Sequence, residues 1–311
     1  MTATEHDPAR MTDALERLEA RLAALETGIV QRLAKIEAAV EQAGRRRGYY
    51  LGDHTALSVM ENGQMLLVDT RSRDIAMRVL ATGRWEHNET TAFSRLIRPG
   101  DTVFDVGANH GVFALLAGPR CRPGGQVHAF EPNPDLARLI TMSTWLNGLQ
   151  HLVKVHTLAA SDAEGEAVLT ASEAYSGGGS LRQRRAAAGF AGSEFRSIAC
   201  RTVRLDGMFP DPTFRIDVMK IDVEGFEGRV LRGMPKLLER SPGLRIVMEF
   251  GPQMMKEAGV PATEVAAMLQ GLGFSAWGIG PGGALTPMGW DALAEKTQGL
   301  QNLVVARERP Y

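Results

Sequence analysis

From residue 101 onward, short apolar runs alternate with segments of helical period, and this alternation constrains the fold more than any other feature of the chain. VFDVG, VHAFE, VKVHTLAA, IDVMKID and LRIVMEF are almost continuously apolar, as strands covered on both faces must be. Between them GVFALLAG, PDLARLITMSTWLNG and EGFEGRVLRGMPKLLE read as helices, and a further helix falls near Ala262 to Gly271. FSAWGI and LVVARE supply the last two strands. The pattern predicts an α/β fold with a doubly wound, mostly parallel, seven-stranded sheet of Rossmann-like type. The stretch SGGGSLRQRRAAAGFAGSEF, residues 176–195, breaks the rhythm. It reads as a mobile loop between the third and fourth strands, either covering a ligand or simply disordered.

The N-terminal part follows another rule. Met11, Leu15, Leu18, Leu22, Leu25 and Ile29 recur at alternating steps of four and three, the spacing of a coiled-coil seam. Leu33, Ile36 and Val40 continue it after a four-residue stutter. Asp7-Pro8 suits a helix start, and Gly44 followed by Arg45, Arg46 and Arg47 suits a helix end. Residues 8–44 are therefore expected to form a coiled-coil helix that makes the chain a homo-oligomer; the competing reading is a helix that folds back on its own domain. Residues 49–99 read as a β-hairpin and helical prelude, with Asn62-Gly63 at the hairpin turn and helices at Ile75–Leu80 and Glu89–Ile97. Residues 100–311 form the catalytic domain of this reading.

Composition excludes several classes. Lys and Arg number 35 against 36 Asp and Glu, so the net charge of −1 argues against a strongly basic nucleic-acid binder and leaves only a local patch open. Two cysteines, Cys121 and Cys200, are too few for a disulfide framework or a cysteine-rich zinc site. No run reaches the roughly 20 apolar residues of a membrane span. The charged N-terminus has no signal-peptide core, so a cytoplasmic setting is expected.

The chemistry concentrates at the carboxyl ends of the strands, where open α/β sheets bind ligands. DVGANHG, Asp105 to Gly111, joins the first strand to its helix, with Gly107, Asn109 and Gly111 letting backbone approach a ligand. Asp105 would repel a pyrophosphate and attract a cationic amino group, such as the one that S-adenosylmethionine carries beside its sulfonium. Glu131 ends the second strand and can accept ribose hydroxyls; after the third strand, Ser161 and Asp162 can meet the exocyclic amine of adenine. Each could instead be a helix cap. In the fourth strand, Val218, Lys220 and Asp222 share one face, and Met219, Ile221 and Val223 the other. A lysine inside a central strand demands a counter-charge, and Asp105 or Glu249 on neighbouring strands is the expected partner. Such a buried pair could equally do no more than position the acids. Asp222 and Glu224 face the site as base, substrate anchor or metal ligand.

WEHNET, PGDTVFDVGANHG, VHAFEPNP, LAASDAEGEAVL, MKIDVEGFEGRVLRGM and IVMEF together resemble the FkbM family of S-adenosylmethionine-dependent methyltransferases, over roughly residues 84–306. The resemblance implies a class I methyltransferase fold and O-methylation of a hydroxyl on a sugar, a glycan or a small secondary metabolite. It implies Asp105, Gly107, Asn109 and Gly111 at the methionine end of the cofactor, Glu131 at ribose with Asn133 beside it, and Ser161 with Asp162 near adenine. Lys220, Asp222, Glu224 and Gly225 fall in its signature turn. His110 stands where a small or apolar residue is usual, as a substrate-side group or an exposed variant. The expected reaction is in-line displacement with Asp222 as first candidate base, then Glu224, Glu249 and His110. Glu86 and Glu89 either cover the site or cap a helix. A divalent ion held by Asp222, Glu224 and Glu249 stays open.

Beside an NAD-dependent dehydrogenase, two further rivals stand. A nucleic-acid or protein methyltransferase is one, but the turn reads Asp222-Val-Glu-Gly where base-amine enzymes commonly carry Asn/Asp-Pro-Pro-aromatic. A coiled-coil scaffold with an inactive, ligand-binding methyltransferase-like domain is the other. Asp105, Glu131 and Asp162 together argue against it.

Overall fold

A computed structural model of the chain describes residues 8–44, 47–172, 181, 195–295 and 299–311. The chain divides into two units, Met1–Arg46 and Arg47–Tyr311. The first contains one long helix, α1 (Pro8–Gly44), of the extent the heptad pattern predicts. Leu18, Leu22, Leu25, Ile29, Leu33 and Ile36 are each more than 50% exposed along it. Met11, Leu15 and Val40, which complete the seam, lie outside the described side chains, and Arg45 and Arg46 outside the described residues.

The second unit opens with an antiparallel three-stranded sheet, β1 (Gly48–Gly52), β2 (Thr55–Val59) and β3 (Met65–Asp69). Asn62-Gly63 does mark the β2–β3 turn, where Gly63 takes a φ of 82° that a side chain would resist. Helices α2 (Ile75–Thr82) and α3 (His87–Leu96) follow. Then come β4 (Thr102–Val106), α4 (Val112–Arg120), β5 (Gln126–Phe130), α5 (Pro134–Leu146) and β6 (Val153–His156). After them the chain forms β7 (Ala159–Ala160), β8 (Gly165–Ser172), β9 (Phe195–Val203), α6 (Leu205–Met208), β10 (Val218–Ile221), α7 (Glu227–Arg232) and α8 (Pro235–Arg240). The last part is β11 (Arg245–Phe250), α9 (Pro252–Glu257), α10 (Ala262–Gly271), β12 (Ser275–Ile279), β13 (Leu285–Met288), α11 (Trp290–Ala294) and β14 (Gln301–Ala306).

The main sheet runs β13-β12-β14-β11-β10-β4-β5-β6. Its seven expected strands are all present, and β13 adds an eighth at the edge. β11, β10, β4, β5 and β6 are parallel, whereas β14, β12 and β13 pair antiparallel. Chain order reverses between β4 and β10, so the carboxyl ends of these neighbours diverge into a crevice. Alternation sends Phe104, Met219 and Ile221 into one apolar layer and Val103 and Val218 into the layer on the opposite face. Both faces of β10 thus behave as its sequence predicts.

Three expectations change. VKVHTLAA is not one strand: it leaves the main sheet after His156, and Ala159–Ala160 pairs with β9 instead. The long helix after β10 breaks at Gly233-Met234, because Pro235 has no N–H to continue the ladder and starts a new helix. The loop expected over 176–195 is flanked by an unforeseen antiparallel hairpin of β8 and β9. Apart from residues 181 and 195, that stretch lies outside the described residues. The prelude, for its part, is bonded into the domain. Leu67 packs against Leu136 and Leu139 of α5, and the Leu67 and Met65 N–H groups donate to Ser143 Oγ and Asn147 Oδ1, each at 2.9 Å.

Phe104 is fully buried and meets Phe130, Phe209 and Phe214 in tilted ring contacts. Phe104→Ala is expected to lower unfolding free energy by about 3–5 kcal/mol, measured by urea denaturation.

Candidate active site

The turn after β4 is shaped by contact with the turn after β10. Gly107 has φ 82°, and a Cβ placed on it would lie 1.9 Å from the Asp222 carbonyl oxygen. Only glycine lets the two strand ends approach this closely. Gly111 has φ 85° and opens α4 against Ile140. Asp105, 1% exposed, projects from the end of β4 with neither carboxylate oxygen hydrogen-bonded. Burial raises its pKa to about 7, against the opposing charge of Lys220 and the nearby Ala114 amide.

Glu131 binds the same turn from β5. Its Oε2 accepts from the Asn109 N–H and its Oε1 from the Asn133 N–H, both at 2.8 Å. Burial lifts its pKa to about 7, against these bonds. Each oxygen has a second lone pair beyond the bond it accepts, and Glu131 lines a cleft of about 1010 Å³, counting the part open to solvent. Gly107, Asn109 and Glu131 form one wall of that cleft, and Leu169 and Ile198 of the β8–β9 hairpin form another. Asp69 and Arg71, an ion pair at the end of the prelude, also border it.

Several expected residues take other roles. Ser161 and Asp162 do not line the cleft. Ser161 Oγ donates to Asp162 Oδ1, and Arg229 of α7 holds that carboxylate at 3.2 Å. The split of the third strand turns this segment away, so these side chains engage each other and Arg229 and do not border the cleft where adenine was expected. Asn133 lines the cleft, but its side chain caps α5 by accepting from the Asp135 N–H. His110 is 1% exposed, and both its ring nitrogens are engaged. A backbone N–H can only donate, so Nε2 accepts from Asp69 N–H (3.2 Å), which places the proton on Nδ1, 2.7 Å from Asn109 Oδ1. Burial lowers its pKa to about 4, and the ring is neutral. Burial overturns its reading as an exposed variant, while the ring lines the second cavity described below and ties the prelude to the Asn109 turn.

A second cavity lies on the other side of the Gly107 turn. Its wall includes Glu86, Asp105, Lys220, Asp222, Glu224 and Glu249. Lys220, 1% exposed, bonds Asp222 Oδ2 at 2.7 Å and sits 4.9 Å from the centre of the Phe113 ring. The partner predicted on a neighbouring strand is therefore found just past the end of the lysine's own strand, two positions ahead of it. Burial opposes the lysine's charge, yet Asp222, Glu86 and Glu249 outweigh it and hold its pKa above the usual range. Burial first, then the charges of Asp222, Glu224 and Glu227, push Glu249 well above the carboxylate range. Glu86, in a left-handed conformation (φ 39°) ahead of α3, is raised to about 7 by burial. It makes no side-chain cap and faces the cavity; Glu89 instead accepts from Asn302.

The two cavities share Gly107, Asn109, Asp222 and Glu224. Glu224 is left-handed (φ 53°), and Gly225 (φ 100°) passes so near Met254 that a Cβ would lie 2.7 Å from its carbonyl oxygen. Glu227 fixes this turn, with Oε1 accepting from the Val223 and Gly225 N–H groups at 3.1 Å. Sequence reasoning missed Glu227, the Asp69–Arg71 pair and the β8–β9 wall. Alternation within FRSIACRTV was the available signal for the wall.

The family described as the methyltransferase FkbM domain matches residues 105–276. A relative from Streptomyces tacrolimicus, the 31-O-demethyl-FK506 methyltransferase FkbM, is 31% identical over 204 residues, which are 58% of this chain and 74% of that protein. Among solved structures, a SAM-dependent O-methyltransferase from Thermotoga maritima is similar at 14% identity and a TM-score of 0.38, covering 81% of this chain and 78% of that one. TYW2 from M. jannaschii, in complex with AdoMet, is similar at 13% identity and a TM-score of 0.41, covering 83% and 86%.

Glu227 gives a pH test. Burial lifts its pKa from 4.5 to about 7, and its Oε2 has no partner. The folded state therefore holds a proton that the unfolded state has lost, and this contribution to stability disappears as pH rises from 4.5 through 7. Glu227→Gln keeps the carbonyl acceptor and removes the titration. Relative to wild type it is expected to gain on the order of a few kcal/mol between pH 5 and pH 8 in urea denaturation. Glu227→Ala, which orphans two N–H groups, is expected to be about 1–3 kcal/mol less stable than Glu227→Gln.

Proposed function

The chain belongs to the FkbM family and is an S-adenosylmethionine-dependent methyltransferase, and we propose that it methylates a hydroxyl oxygen of a small polar metabolite or glycan. The observation that carries this reading is the meeting of two cavities at Gly107, Asn109, Asp222 and Glu224. One cavity has the features of a donor site, and the other presents carboxylates to an acceptor.

The donor-side residues fit S-adenosylmethionine. Asp105, on the second cavity's wall beside the Gly107 divide, offers a buried carboxylate without hydrogen bonds, suited to an ammonium group that reaches past that turn. Gly107 and Gly111 supply backbone that no side chain obstructs, and Glu131 has lone pairs left for ribose hydroxyls. The donor supplies a methyl group already activated on a sulfonium sulfur. The protein's own task is alignment, exclusion of water and removal of the acceptor's proton. Asp222 takes that proton, and Lys220 is a positioning residue that holds Asp222 by its Oδ2. Glu224 and Glu249 flank it as anchors for the acceptor.

The FkbM relative carries an O-demethyl substrate in its name, which supports oxygen as the acceptor atom. The carboxylate-lined wall disfavours a phosphodiester acceptor, since like charges would face each other across it. An inactive scaffold would have no need of the Asp105 and Glu131 arrangement. The exposed apolar seam of α1 supports self-association through that helix, and the free, buried Cys121 and Cys200 agree with a reducing, cytoplasmic setting. Among the described residues no helix is long and apolar enough to cross a membrane.

Transfer of labelled methyl from S-adenosylmethionine to a panel of hydroxylated metabolites and glycans tests the reading. Asp222→Asn is expected to lower turnover about 10²–10⁴-fold while calorimetry shows donor affinity little changed. Full activity in that variant would remove Asp222 as the base. For the helix, sedimentation of the full chain is expected to show an oligomer that Leu22→Asp with Ile29→Asp converts to monomer.

A further inference from the structure

We propose that the acceptor cavity holds a divalent cation between Asp222, Glu224 and Glu249. One carboxylate oxygen from each of the three lies within 4.8 Å of the others. Hard cations bind oxygen at about 2.0–2.6 Å, so oxygens on opposite sides of one ion stand about 4–5 Å apart. The three acids already have that spacing, before any side chain moves.

Their positions are built by the backbone. In the parallel pairing Lys220 lies beside Val247 and Ile221 beside Met248, which carries the register on to Asp222 beside Glu249 at the carboxyl edge. Glu224 reaches the same place through its left-handed turn, closed by Glu227 and by Gly225 against Met254. A residue kept in a sparsely populated conformation at such a turn is a mark of a functional position.

The second observation is independent of the three acids. Asp105, 1% exposed, contributes an unbonded carboxylate to the same cavity. Even with Asp105 given to the donor's ammonium, Glu86 Oε2 and Glu249 Oε2 stay buried on that wall with no hydrogen bond. Lys220 is the only cation among the described residues lining the cavity, and its ammonium is directed to Asp222. Five carboxyl groups around one lysine supply more oxygen donors than its ammonium engages, and a small divalent ion would use them. All-oxygen donors select Mg²⁺, Mn²⁺ or Ca²⁺ over softer metals. Two or more oxygens of a polyhydroxylated acceptor could complete the ion's shell, which places the acceptor hydroxyl beside Asp222.

The inference rests on the methyl-transfer reading only for the identity of the cavity as the acceptor's, and its test reads the ion directly. Mn²⁺ is titrated into the full chain, with free Mn²⁺ followed by electron paramagnetic resonance. The expected result is one saturable site per chain, displaced by Mg²⁺. Glu224→Gln and Glu249→Gln are each expected to weaken it by about tenfold or more, and Glu166→Gln, on the exposed hairpin, to leave it unchanged. Far-ultraviolet circular dichroism, with calorimetry against S-adenosylmethionine, checks that each variant is folded. Absence of saturable Mn²⁺ binding, or binding insensitive to both variants, overturns the cation site. Donor binding and methyl transfer that persist in that case leave the functional reading standing, whereas loss of donor binding by wild type would strike the reading itself.

Discussion

The ammonium of Lys220 is the charge around which the site is arranged. It is 1% exposed, on a central parallel strand, and an uncompensated cation there would cost several kcal/mol. Asp222 compensates it at 2.7 Å from just beyond the end of the same strand. The pairing directs the Asp222 side chain toward the cavity side, while the Asp222 backbone carbonyl faces the Gly107 turn. Removing the lysine would leave a crowd of acids without a counter-charge. Removing Asp222 would leave a buried cation near Glu86 and Glu249, which already share its field.

A second constraint is steric. The ends of β4 and β10 come together so tightly that a methyl group at residue 107 has no place. This contact makes a narrow divide between the two cavities instead of a broad wall. It also explains why the residues shared by both cavities come from the two turns, and why three of the turn positions, Gly107, Asn109 and Glu224, have positive φ. Backbone strain and charge repulsion are thus concentrated at one edge of the sheet, over two continuous apolar layers that can bear their cost.

Local chemistry was legible in the sequence wherever it was written in consecutive residues. The strand faces of β10, the glycines of DVGANHG and the Asn62-Gly63 turn needed only periodicity and steric rules. What depended on a strand leaving its sheet was not legible. VKVHTLAA is apolar throughout, and nothing in it marks the departure after His156 that carries Ser161 and Asp162 away from the cleft and toward Arg229. The partner of Lys220 was misassigned because a neighbouring strand offered equally good acids, and only the side-chain path decides between them. His110 could not be assigned from its own segment, since the group that fixes its tautomer, the Asp69 N–H, comes from the prelude.

That last bond bears on where the protein can be cut. The family match begins at residue 105, inside β4, so the unit that recurs among relatives is shorter than the unit that folds. A fragment starting at the sheet would uncover Leu136 and Leu139, leave Ser143 Oγ without its backbone donor and strip one border from the cleft that Glu131 lines. Its imidazole at position 110 would also be released to change tautomer and turn its proton away from Asn109. The prelude is thus less an appendage than a keystone that holds the Asn109 turn in place.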